Sequence, residues 1–114
     1  VYAVHLESND FSGDKRSVQS KEMLDVAAEL ACERAQIMAG DYNAPYCGAP
    51  ELDVLRDAGF RDLIAELGDT DATHTAGFRL DYVWARGFNV IGGGVVRDLA
   101  ASDHDALWVD LELP

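Results

Sequence analysis

QIMAGDYN, residues 36–43, decides how this chain is read: a short apolar run ends at Gly40, and Asp41, Tyr42 and Asn43 follow at once. The run suits a buried strand. Upstream, between Arg16 and Ala35, Leu24, Ala27, Ala28 and Ala31 recur at helical spacing, leaving Glu22, Asp25, Glu29 and Glu33 for the outer face. That spacing predicts an amphipathic helix whose small apolar residues let it lie close to a sheet. Before it, VYAVHLE sets Tyr2, Val4 and Leu6 against Ala3, His5 and Glu7, the alternation of a strand. Strand, helix, strand is a crossover unit, so the two strands are expected to run parallel. His5 then continues the face of Ala3, and Asp41 the face of Ile37 and Ala39, which places both polar groups at one sheet edge.

Downstream, a loop with Pro45, Gly48 and Pro50 leads to helical stretches over 51–58 and 61–67, divided by Gly59. Residues 68–77 read as a loop. RLDYVWA, residues 79–85, alternates Leu80, Tyr82 and Trp84 against Asp81, Val83 and Ala85, and Arg86 and Gly87 suit a turn into a further strand near Phe88 to Ile91. Gly92 to Gly94 lack the Lys-Ser/Thr pair and following helix of a phosphate loop, so a bend or bulge is expected there. The tail, SDHDALWVDLEL at 102–113, places Leu107, Val109, Leu111 and Leu113 on one face of a last strand, with Asp103 and His104 at its beginning.

With 114 residues and ordinary apolar and charged fractions, the chain suits one soluble domain or part of one. It has no apolar run long enough to cross a bilayer and no signal-peptide pattern; its compartment is not legible. The net charge of −12, from 21 acids against 9 bases, repels polyanions and disfavours unaided nucleic-acid binding. Clustered carboxylates, however, become good ligands once a hard divalent cation is present. Cys32 and Cys47 are too few and too far apart for a zinc motif, and read as a helix-packing residue and a loop thiol.

Each polar residue singled out has a plain structural reading. His5 alone suits a packing histidine, Asp41 with Asn43 an Asx turn, and Asp81 a partner for Arg79 or Arg86. Jointly they point elsewhere. If the strands of Asp81 and of Asp103-His104 run antiparallel to the first two, His5, Asp41, Asp81, Asp103 and His104 share one rim. Tyr42 and Trp84 read as core residues, Asp105 as a neighbour of the site, and His74 as a solvated loop residue.

VHLES at 4–8, GDYN at 40–43, RLDYV at 79–83 and SDH at 102–104 resemble the endonuclease/exonuclease/phosphatase superfamily, which includes deoxyribonuclease I. The resemblance extends to Arg16 and Gln19 in the first helix. It implies an α/β fold, half of a four-layer α/β/β/α sandwich with a mixed sheet and helices on one face. Residues 1–114 would be the C-terminal half of such a domain, with the N-terminal half and its metal-binding Glu outside the chain; Glu7 is no evident substitute. The implied activity is metal-dependent phosphoester hydrolysis, most simply of a phosphodiester, with Mg²⁺ (or Mn²⁺ or Ca²⁺) as cofactor. It further implies His5, Asp41, Asn43, Asp81 and His104 as catalytic residues, and Asp41, Asn43 and Asp103 on the metal side. Nucleic acid, phospholipid and small phosphodiesters all stay open as substrate. The different-class alternative is a catalytically inactive half-domain that acts as an interaction or homodimerising module, its partner the N-terminal half or a second copy.

Overall fold

The computed structural model describes residues 1–30, 35–45, 48–98 and 100–114. In chain order the elements are β1 (Tyr2–His5), α1 (Asp14–Glu29), β2 (Gln36–Asp41), α2 (Pro50–Asp57), β3 (Arg61–Asp62), α3 (Leu63–Glu66), β4 (Asp81–Arg86), β5 (Asn89–Val96) and β6 (Ala106–Glu112). The first four-stranded sheet has the order β1-β2-β4-β3 and is mixed: β1 and β2 are parallel, and β4 runs antiparallel to both β2 and β3. The crossover reading of the first strand, helix and strand is thus what the fold contains. The helix ends earlier than its spacing suggests, because Ala35 is not helical; Cys32, Cys47, Ala31 and Glu33 lie outside the described residues.

Strand periodicity sorts side chains to the two faces of this sheet. Met38, Tyr82 and Trp84 point to the side covered by α1 and α2, where they pack with Ala27, Leu52, Leu55, Tyr42 and Phe60. Tyr42 and Trp84 are fully buried, as core residues should be. Arg16, from α1, is buried against Glu51 of α2 with Nε 2.6 Å from Oε1, so this layer contains an ion pair that neither partner can leave without stranding a buried charge. Gln19 accepts the Glu7 backbone N–H at 2.9 Å, tying the exit of β1 to the helix. The opposite face carries Ile37, Ala39, Val83 and Ala85, and there α3 and the β5-β6 hairpin pack through Leu63, Ile64, Val90, Val95, Leu107, Val109 and Leu111.

Two expectations need correction. The stretch 61–67 does not begin as a helix: Arg61 and Asp62 pair with Ala85 and Trp84 of β4, and only the single turn from Leu63 is helical, capped by the Asp62 carboxylate on the Ala65 N–H. The last strand, moreover, does not join the sheet of β1, β2 and β4. Instead β6 pairs with β5 alone in a separate two-stranded sheet. The bulge expected at the triple glycine lies just ahead of it: the register shifts between Val90 and Gly92, leaving Ile91 without a register partner, while Gly92, Gly93 and Gly94 pair with Asp110, Val109 and Trp108. At Gly93 (φ 159°) an added Cβ would lie 2.6 Å from Leu67 Cδ1 and 2.7 Å from the Trp108 carbonyl oxygen, so only glycine lets β5 pass there. Outward from the hairpin, Ile91, Val96 and Trp108 stay exposed.

Candidate active site

Strand register builds the rim. His5 stands opposite Asp41 in the β1-β2 pair, and Asp41 stands opposite Asp81 in the β2-β4 pair, so three strand termini deliver polar side chains side by side. The loop before β6 delivers the fourth. His104 Nδ1 lies 2.8 Å from Asp81 Oδ2, and its Nε2 lies 3.8 Å from Asp41 Oδ2; His5 Nε2 approaches the same Asp41 oxygen at 3.8 Å. Although β6 belongs to the other sheet, the loop ahead of it reaches this edge, and the convergence does not depend on sheet membership.

That reach has a backbone cause. Asp105 donates its N–H to the Thr73 carbonyl at 2.8 Å, Thr75 donates to the Asp103 carbonyl at 2.9 Å, and His74 bridges His104. Two irregular segments are thereby laced into a miniature antiparallel ladder across the site. Thr73 is fully buried at its centre. Its hydroxyl donates to Asp81 Oδ2 at 2.7 Å and accepts the N–H groups of Leu80 and Asp81 at 3.0 and 3.1 Å. Asp81 Oδ2 therefore receives both the threonine hydroxyl and the His104 ring, which fixes the carboxylate plane and with it the imidazole.

A carboxylate at Nδ1 favours the protonated imidazole. The hydrogen bond to Asp81 raises the His104 pKa above its ordinary 6.5; partial burial opposes this, and the charges of Asp81, Asp41 and Asp103 add to it. Since the folded value is the higher, the associated stabilisation is complete below the unfolded value and is lost as pH rises through the folded one. In the metal-free protein, an NMR titration is expected to place the His104 midpoint above 6.5, and Asp81→Asn to bring it down. An unshifted midpoint in both proteins would remove Asp81 from this role.

The remaining residues divide. Asn43, in the left-handed region (φ 49°), donates its backbone N–H to Asp41 Oδ1 at 2.8 Å, so the Asx turn is present as well as the rim. Its side-chain Nδ2 donates to the Leu6 carbonyl at 2.9 Å, which leaves the amide oxygen as the group it can offer. Asp103 turns its Oδ2 toward His74 Nε2 at 3.4 Å. Consequently Asp41 groups with Asp81 and His104, whereas Asp103 groups with His74 and His104. Arg79 is a structural residue, bidentate on Asp62 at 2.8 Å and lying over the Tyr82 ring; Arg86 bonds Gln36, so neither is the partner of Asp81. Glu7 accepts the Asn9 N–H within its own turn.

Thr73 and His74, noticed in the sequence only as part of a loop that the family resemblance links to substrate, belong with this cluster, and the assignment of His74 to solvent is wrong. Its side chain is only 20% exposed, and its ring packs edge-on against His104 with centroids 4.6 Å apart. The available signal was that the chain has just 3 histidines, of which two had already been assigned to this rim.

A mixed α/β fold with carboxylates and imidazoles on converging strand ends defines the class of this molecule. The chain belongs to the Endonuclease/Exonuclease/phosphatase family, whose sequence model matches residues 4–104. Among solved structures it is similar to a functionally unknown conserved protein from Enterococcus faecalis V583, with a TM-score of 0.80 and 18% identity over 98% of this chain and 49% of that one. It is also similar to beta toxin from Staphylococcus aureus, with a TM-score of 0.58 and 14% identity over 98% of this chain and 51% of that one. The chain thus spans about half the length of these structures. No curated protein matches it significantly. Among the described residues, no helix is long and apolar enough to cross a membrane.

Proposed function

We propose that this chain supplies the His/Asp/Asn part of the active site of a metal-dependent phosphoester hydrolase, acting most simply on a phosphodiester. The observation that carries the reading is the constellation of Asp41, Asp81 and His104, whose ligand-type atoms lie within 4.8 Å of one another, in a chain of this family. Further, we infer that residues 1–114 form the C-terminal half of a longer domain, a reading supported by 98% coverage of this chain against 49% of its structural neighbour.

The donor set fits a hard divalent cation such as Mg²⁺, Mn²⁺ or Ca²⁺. Asp41 offers Oδ2, which the imidazoles of His5 and His104 approach only to 3.8 Å, and Asn43 retains its amide oxygen. Asp41 and Asn43 would hold the ion, with Asp103 on its outer side next to His74. When bound, the ion would neutralise phosphate charge and lower the pKa of a coordinated water.

The protein's own groups then have distinct tasks. Phosphodiesters resist attack because anionic oxygens screen the phosphorus, so the nucleophile must be positioned as well as activated. Asp41, anchored through Oδ1 by the Asn43 N–H, would use the lone pair of Oδ2 that the ion leaves free to orient a water and take its proton. His104, oriented by Asp81, donates from Nε2 to a non-bridging oxygen as charge builds there. His5, 75% exposed, is free to contact phosphate or assist the leaving group.

Hydrolysis of bis(p-nitrophenyl) phosphate tests this reading. The proposed full domain is expected to turn over in Mg²⁺ and to stop on addition of EDTA, while residues 1–114 alone give little activity. Turnover indifferent to chelation would contradict it. The second reading, a half-domain that serves assembly, draws on exposed Ile91 (67%) and Trp108 (48%) on the hairpin; it would gain if the full domain stayed inactive while residues 1–114 formed a stable dimer.

A further inference from the structure

His74 belongs to none of the roles above, yet its ring is fixed as tightly as that of His104. The Ala76 backbone N–H donates to His74 Nδ1 at 2.9 Å. A ring nitrogen that accepts a hydrogen bond carries no proton, so the neutral ring keeps its proton on Nε2. That nitrogen is aimed at Asp103 Oδ2, 3.4 Å away, at the open side of the cluster. A solvated loop histidine would not be packed against another imidazole at 80°, nor bridged to it through the backbone. Nor does the geometry suit a metal ligand, because Nε2 would have to lose its proton while Nδ1 is occupied. His74 is built as a fixed N–H donor.

Resting on the phosphoesterase reading, we propose that His74 is a second imidazole donor to the phosphoryl group, working beside His104. One ring nitrogen of His74 lies within 4.8 Å of one ring nitrogen of His104, and the ring centroids are 4.6 Å apart. Two hydrogen bonds of ordinary length that meet at one acceptor span roughly 5.6 Å at most, so both rings can reach a single phosphoryl oxygen or two oxygens of one group. Asp103 is no obstacle: its side chain is 69% exposed and holds His74 by a long, solvent-screened contact that an incoming phosphate can replace. Among the described residues, Arg16, Arg56, Arg61, Arg79, Arg86 and Arg97 are each engaged with acids, Gln36 or carbonyls elsewhere in the fold, and Lys15 and Lys21 belong to α1. In an acidic chain, an anion at this rim finds its protein donors in the imidazoles.

The test uses residues 1–114 labelled with ¹⁵N-histidine, titrated with inorganic phosphate in the presence of Mg²⁺. The Nε2 signals of His74 and His104 are expected to shift together with one affinity. His74→Phe keeps the ring packing but loses the donor, and should weaken phosphate binding about tenfold, as for one charge-assisted hydrogen bond. His74→Gln, which presents an amide N–H at the Nε2 position, should recover most of that loss. A shift of His104 with His74 unmoved, or unchanged affinity in His74→Phe, overturns the proposal and leaves the phosphoesterase reading standing. If neither ring responds to phosphate, the proposal falls, and the phosphoesterase reading is decided by the full-domain assay. Should His74→Phe fail to fold, the wild-type shifts decide alone.

Discussion

Gly40→Ala is expected to abolish stable folding or to cost on the order of 4 kcal/mol or more, the range reserved for severe steric defects. Gly40 is the residue of β2 opposite Val4 in β1, and its φ of 144° lies where L side chains are strained. An ideal Cβ there would sit 2.0 Å from the Val4 carbonyl oxygen and 2.9 Å from its carbon. No rotamer relieves this, because the obstruction is backbone. The two parallel strands would have to separate, and that separation breaks the register holding His5 opposite Asp41. Urea unfolding measures the loss. Amide exchange should also show β1 losing protection first, with the β5-β6 hairpin less affected. A variant as stable as the parent would mean that β1 and β2 do not meet as described.

His104→Ala should lower phosphodiester hydrolysis by the proposed full domain by about a hundredfold or more, the effect expected for losing a donor aimed at developing charge. The loss should fall mainly on kcat, since the donor is worth most when charge has built on the oxygen, and KM should change little. Folding should survive, because the ring is 30% exposed and the loop is anchored by backbone bonds from Asp105 and Thr75 rather than by the imidazole. Steady-state kinetics with bis(p-nitrophenyl) phosphate, alongside circular dichroism of the same sample, separates the two effects. A variant with unaltered kcat would leave His104 without a role.

Strand alternation made most of this site legible from residue order. A polar residue that ends an apolar row must emerge at a strand terminus, and with the crossover setting β1 parallel to β2, His5 and Asp41 could only meet; Asp81 followed by the same reasoning. The glycines at 92 to 94 signalled an irregular strand, but the register shift falls one step earlier, at Ile91. Arg61 and Asp62 were not readable, because two residues cannot display a period, and their helical neighbours dominate the pattern. The alternation of β6 was clear, but alternation says which face a side chain takes and not which strand becomes its neighbour. Thr73 and His74 were the least legible of all. Their placement comes from backbone hydrogen bonds between two loops far apart in the chain, and such bonds leave no mark on residue type.

We propose that carboxylates and imidazoles far apart in the sequence form one cation-and-phosphate site, not a scatter of surface charge. Titration of residues 1–114 with trace Mn²⁺, followed by paramagnetic broadening of amide signals, tests it most directly. Broadening is predicted to begin at residues 41, 43, 81, 103 and 104 and to spread outward from them as metal is added. Broadening that instead begins along the acidic outer face of α1, at Glu22, Asp25 and Glu29, with Asp41 and Asp81 untouched, would contradict it.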